Sequence, residues 1–94
     1  MPSLRNRVII ITGASSGIGA ATAVACANAG MDVVLNARRA DKLQAVAARI
    51  IAVGRRAAIV PGDVTQPGMS AELLDVAERT FGRVDAVFAN AGYG

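Results

Sequence analysis

Between Thr12 and Gly19 the chain reads TGASSGIG, placing Gly13, Gly17 and Gly19 within eight residues, with Ser15, Ser16 and Ile18 among them. A β-branched run, Val8–Thr12, leads into this stretch, and an alanine-rich segment, Gly17–Ala29, follows it. That order predicts a strand, a tight loop and the N-terminus of a helix. A bare helix N-terminus offers unpaired N–H groups and a partial positive charge, which suit an anion, and a pyrophosphate above all. Glycine is needed because a Cβ at these positions would hold the phosphate away. The expected division of labour is a tight turn at Gly13, close backbone approach at Gly17 and close helix–strand packing at Gly19. A glycine-rich turn without a ligand is the alternative for an isolated loop. Here a strand before it, a helix after it and a second strand beyond supply the context that favours phosphate.

The rest of the chain alternates in the same way. Gly30 is a helix stop, and VVLNA (Val33–Ala37) reads as a second strand. Asp41 is placed to cap a second helix running to about Val53, with Leu43, Val46, Ala47 and Ile50 recurring on one face. Ala57–Val60 forms a short third strand ended by Pro61 and Gly62. Ser70–Phe81 forms a third helix, with Leu73, Leu74, Ala77 and Phe81 inward and Glu72, Asp75 and Arg79 outward. VDAVFAN, from Val84 to Asn90, is a fourth strand. Strands joined through helices run parallel with right-handed crossovers. The expected architecture is therefore an α/β, Rossmann-type parallel sheet, truncated to β-α-β-α-β-α-β, with spatial strand order 3-2-1-4.

The glycines fall as G-x-x-x-G-x-G, and TGASSGIG resembles the T-G-x-x-x-G-x-G loop of the short-chain dehydrogenase/reductase family. GDVT (Gly62–Thr65) resembles the segment after that family's third strand, where the resemblance implies that Asp63 and the Val64 backbone meet the adenine. ANAG (Ala89–Gly92) resembles the N-N-A-G signature closing its fourth strand, with Ala89 in place of the first asparagine and Asn90, Ala91 and Gly92 kept. The three motifs, in order and at family spacing, cover the chain. They imply that residues 1–94 are the N-terminal part of a single NAD(P)-binding Rossmann domain.

The choice of cofactor turns on the end of the second strand. An acidic residue about 20 positions past the glycine loop would hold a free ribose 2′-hydroxyl. The chain has Ala37 there, followed by Arg38 and Arg39. An arginine can fork onto a 2′-phosphate and stack on the adenine, so NADP(H) is favoured over NAD(H). The resemblance gives Arg38 more weight than Arg39 and also places Ser15 near that phosphate. The competing reading is two solvated surface charges, which the missing acid disfavours.

No catalytic residue emerges. The resemblance implies a serine, a tyrosine and a lysine four residues after the tyrosine, but the one tyrosine, Tyr93, follows the one lysine, Lys42, and no histidine exists. The expectation is the cofactor-binding portion of a reductase. The complete protein would move hydride between NADP(H) and a carbonyl or alcohol, and the chain alone would be inactive. The alternative is a non-catalytic module that self-associates or pairs with a chain supplying the missing half. A different phosphate-binding α/β fold lacks support because no Walker lysine pattern is present.

Composition bounds the remainder. Ninety-four residues make one small domain, able to bury roughly 60–65% of the unfolded surface. Apolar residues at 53% and charged ones at 18% exclude a disordered chain. Apolar runs such as Val8–Ile11 are far too short for a membrane span, and the N-terminus lacks a secretory pattern. The lone Cys26 reads as a small buried thiol, consistent with the cytoplasm. The net charge of +3 is scattered rather than striped and only three aromatics are present, which argues against nucleic acid. No metal-binding pattern is present. An unpaired fourth-strand edge carrying Val84, Val87 and Phe88 leads to the expectation of a homo-oligomer.

Overall fold

A computed structural model describes residues 4–15 and 17–90. Its elements, in chain order, are β1 (Val8–Thr12), α1 (Gly17–Asn28), β2 (Asp32–Ala37), α2 (Ala40–Ala52), β3 (Ala57–Pro61), α3 (Met69–Phe81) and β4 (Ala86–Ala89). The four strands form one sheet in the order β3-β2-β1-β4. Every pairing is parallel, with Ile10 opposite both Val34 and Val87, and Val34 opposite Ala58. The expected α/β topology and strand order are present.

Burial follows from the two-residue repeat of β1 and β2. Ile9, Ile11, Val33 and Leu35 point to one face, where α1 and α2 cover them with Ala23, Ala27, Leu43, Val46 and Ile50. Val8, Ile10 and Val34 point to the other, where α3 covers them with Leu73 and Ala77. Covered on both sides, β1 and β2 read as continuous apolar runs rather than alternating ones. α1 can lie close to the sheet because it presents small residues, and it ends where Gly30 turns left-handed (φ +99). There the Met31 N–H donates to the Cys26 carbonyl at 3.1 Å.

Three sequence expectations shift. Leu74 is 43% exposed. The inward stripe of α3 runs through Met69, Leu73, Val76 and Ala77, and Leu74 stands one helical step outside it. Asp41 does not cap α2. Arg39 occupies the cap position without a side-chain bond, and the Asp41 carboxylate turns back to accept from Arg39 Nη2 at 3.3 Å.

The third concerns β4, which is shorter than the apolar run suggests because side chains replace the ladder at both ends. At its start Asp85 donates its N–H to the Val8 carbonyl (2.9 Å), while its carboxylate accepts from the Val8 N–H (2.8 Å). At its end the Asn90 N–H donates to the Thr12 hydroxyl at 3.1 Å. Hydrogen bonds from Arg83 and then from the Val8 N–H hold the Asp85 carboxyl below the usual carboxylate range.

The amino end of the sheet is pinned by a second carboxylate. Asp32, at the start of β2, is fully buried. It accepts from Arg55 Nη2 at 3.0 Å, from the Arg56 N–H at 3.1 Å and from Arg56 Nη2 at 2.6 Å. Arg55 also donates to the Asn6 amide oxygen (3.0 Å), and the Arg56 guanidinium lies 4.8 Å above the Phe81 ring. One carboxylate thereby ties β2 to the start of β3 and, through Phe81, to the end of α3. Burial pushes its pKa up, but the bonds from Arg56 and the charges of Arg55 and Arg56 outweigh this, and the net direction is down.

Asp32→Asn should cost about 2–4 kcal/mol in urea unfolding. Two cations lose their anion, while the solvent-facing side of Arg56 keeps the loss below that of a fully buried pair. Because the folded-state pKa is depressed, this stabilisation is complete above the unfolded value of about 3.9 and is lost as pH falls through the lower folded value. The variant should therefore lose part of the acid-limb slope of stability.

Candidate dinucleotide-binding site

The carboxyl ends of the four strands meet the N-terminus of α1 along one edge of the sheet. The glycine loop is fastened there from two sides. On the β2 side, the Ala14 N–H donates to the Asn36 carbonyl at 2.9 Å. On the β4 side, Asn90 Nδ2 donates to the Gly13 carbonyl at 3.2 Å. Gly13 has φ +62, and a Cβ there would meet the Asn90 carbonyl oxygen at 2.9 Å. Gly19 is more tightly constrained. A methyl group on it would overlap the Gly13 carbonyl oxygen and lie 2.9 Å from Asn90 Nδ2. Gly13 therefore makes the turn and Gly19 brings α1 onto it. Gly17 differs from both: a Cβ there would face open space, with no protein atom within 4 Å.

Asn36 is a support that reading VVLNA as a plain strand passes over. It is buried, and its Nδ2 donates to the Val60 carbonyl (3.0 Å) and the Gly62 carbonyl (3.1 Å). The Gly62 N–H in turn donates to the Ala37 carbonyl at 2.9 Å. A continuous row of hydrogen bonds thus crosses the edge from β4 through the glycine loop and β2 to β3. The available signal was a polar residue inside an apolar run, because a buried amide must find partners.

Beyond this row lie the charged groups. Ile18, at the first turn of α1, is exposed, and that turn carries no acidic residue. Arg38 follows β2, and its side chain is 78% exposed. Asp63 follows β3. Its carboxylate accepts from the Thr65 hydroxyl (2.7 Å) and the Thr65 N–H (2.9 Å), bonds that hold its pKa below the ordinary value. Val64, beside it, is exposed. Arg38 Nη2 stands 3.4 Å from Asp63 Oδ2, whereas Arg39 turns away to Asp41. Arg38 and Asp63 therefore share a site that Arg39 does not join. Ser15 is half-buried in the loop. Ser16, Ala91, Gly92 and Tyr93 lie outside the described residues. Among the described residues, no group of three His, Cys, Asp or Glu side chains gathers as a metal site. No helix among them is long and apolar enough to cross a membrane.

Comparison with known proteins agrees with this parallel α/β fold. The family model for short chain dehydrogenase matches residues 7–94. The chain belongs to the short-chain dehydrogenase/reductase family. It is 46% identical over 90 residues to an uncharacterized oxidoreductase of Listeria innocua, an alignment spanning 96% of this chain and 36% of that protein. It is 41% identical over 93 residues to an L-rhamnose 1-dehydrogenase (NAD(P)(+)) of a Sphingomonas species, spanning 98% of this chain and 37% of that one. Among solved structures, a metagenomic short-chain oxidoreductase in complex with NADP superposes with a TM-score of 0.83 at 37% identity, covering 92% of this chain and 39% of that chain. The chain thus spans little more than a third of the length of the curated relatives it matches.

Gly19→Ala should push α1 away from the loop and cost about 1–3 kcal/mol, the range for overpacking, read as a lower melting temperature. Asn90→Ala should cost about 1 kcal/mol through loss of one hydrogen bond. It should also accelerate amide hydrogen exchange at Ala14 more than at the centre of β2.

Proposed function

We propose that this chain is the N-terminal part of a single NAD(P)-binding Rossmann domain and binds the adenosine and pyrophosphate end of NADP(H). The observation that carries the reading is the open space above Gly17 at an α1 terminus free of acidic residues. A phosphate oxygen can approach the backbone there, and the charge at that end of the helix is favourable. Gly13, Gly17, Ile18 and Gly19, with Ser16, would hold the pyrophosphate, and Ser15 would lie near the 2′-phosphate. Asp63 and the Val64 backbone would meet the adenine. Asn90, Ala91 and Gly92 would close the far side, with the Asn90 side chain acting through the Gly13 carbonyl.

Cofactor choice rests on Arg38. No carboxylate follows Ala37 to take a ribose 2′-hydroxyl, and the exposed guanidinium stands at the strand end where a 2′-phosphate would lie. Arg39, engaged with Asp41, has the smaller part. When bound, the nicotinamide would supply a hydride donor or acceptor for a carbonyl or alcohol in the complete protein. What these residues contribute is binding and orientation. The compartment that suits a chain with one free cysteine is the reducing cytoplasm.

A second reading, self-association of the chain, is favoured by β4. Val87 is 57% exposed, and the strand has no partner on its outer edge among the described residues. Such an edge pairs readily with a second strand. A second copy, or a chain supplying complementary strands, would satisfy it.

Titration should show tighter binding of NADPH than NADH. Arg38→Ala should weaken NADPH by about 10- to 100-fold, the range for a hydrogen bond to a charged group, while changing NADH little. Equal affinities in the parent chain would overturn the NADP(H) assignment. By sedimentation at micromolar concentration the chain should exceed monomer mass, and Val87→Lys should shift it towards monomer.

A further inference from the structure

The Arg38–Asp63 pair admits a reading beyond cofactor choice. The Asp63 carboxylate is not free to turn, because both Thr65 bonds fall on the same oxygen, Oδ1. That leaves Oδ2 facing Arg38 Nη2 at 3.4 Å. Among the described residues no other carboxylate pairs with Arg38. The guanidinium assigned to a 2′-phosphate is therefore already beside an anion fixed by its own loop.

We propose that Asp63 is an internal counter-anion to Arg38, standing in for the 2′-phosphate and lowering the discrimination between phosphorylated and unphosphorylated ribose. The inference rests on the assignment of Arg38 to the 2′-phosphate. A ligand with a free 2′-hydroxyl brings no competing charge and leaves the pair intact. A ligand with a 2′-phosphate brings a second anion to the same guanidinium. It must displace the carboxylate or lie close to it, and like charges at that separation repel. Asp63 is thus a specificity-determining residue that acts through Arg38, in addition to any contact it makes with the adenine. The pair is exposed, so its effect is modest.

The test compares adenosine 2′,5′-bisphosphate with 5′-AMP by calorimetry. Both carry the same adenine and 5′-phosphate, so the affinity ratio removes any change in the adenine contact or in fold stability. Asp63→Asn keeps an oxygen for Thr65 and removes the charge. It should raise the ratio about two- to fivefold, the range of an exposed ion pair. Asp63→Ala should move it in the same direction, which guards against a variant that fails to fold. In an Arg38→Ala background both changes should raise the ratio less than they do in the parent chain, because only direct repulsion by the carboxylate is then left to relieve. If Arg38→Ala lowers the ratio but Asp63→Asn leaves it unchanged or lowers it, the counter-anion role is wrong and the Arg38 assignment stands. If Arg38→Ala itself leaves the ratio unchanged, the assignment of Arg38 falls and the counter-anion role falls with it.

Discussion

The carbonyl oxygen of Gly13 lies where a side chain on Gly19 would begin, and the arrangement of the whole edge follows from that contact. Because position 19 has no side chain, α1 can start directly over the end of β1. Because α1 starts there, its terminal N–H groups and partial charge are delivered to the carboxyl edge of the sheet rather than to its flank. The Gly13 carbonyl is not left as a buried unpaired acceptor, since Asn90 reaches it from β4. A steric absence and one amide hydrogen bond together fix the loop on which the candidate site is built.

The two ends of the sheet are held by different physics. At the carboxyl end, neutral amides do the work: Asn36 and Asn90 join adjacent strands through carbonyl oxygens and add no negative charge to the neighbouring surface. At the amino end, ionic contacts serve the same purpose, with Asp32 gathered by Arg55 and Arg56 and Asp85 by Arg7 and Arg83. An anionic ligand would be repelled by a carboxylate cluster but not by an amide one. The division leaves Asp63 as the carboxylate beside the candidate site, and Arg38 faces it.

The elements and the strand order were legible because each rests on a local signal: β-branched runs for β1 and β2, three- and four-residue recurrence for α2 and α3, and glycines at the loop. What was not legible is the role of side chains that replace main-chain bonds. Val84 to Asn90 is apolar enough to read as one strand, yet Asp85 takes the Val8 N–H and Thr12 takes the Asn90 N–H, trimming the ladder at both ends. Asp41 has the type and position of a cap, but the guanidinium two residues earlier competes for its carboxylate. Leu74 is apolar but lies one step off the buried stripe of α3. In the site, the glycine pattern and the missing acid after Ala37 were readable. The supporting row through Asn36 was not, because it depends on which carbonyls a fold brings within reach.

The position of Asn90 at the end of β4 has a kinetic consequence. β4 is the most weakly covered strand, with α1 and α2 packed on one face of β1 and β2 and α3 on the other. It is thus the region from which local opening should start. Each excursion of β4 away from β1 also withdraws the amide that grips Gly13, so fraying at the margin and slackening of the glycine turn become a single motion. Whatever clamps the margin, whether further chain or another molecule, would thereby stiffen the turn from a distance without touching it.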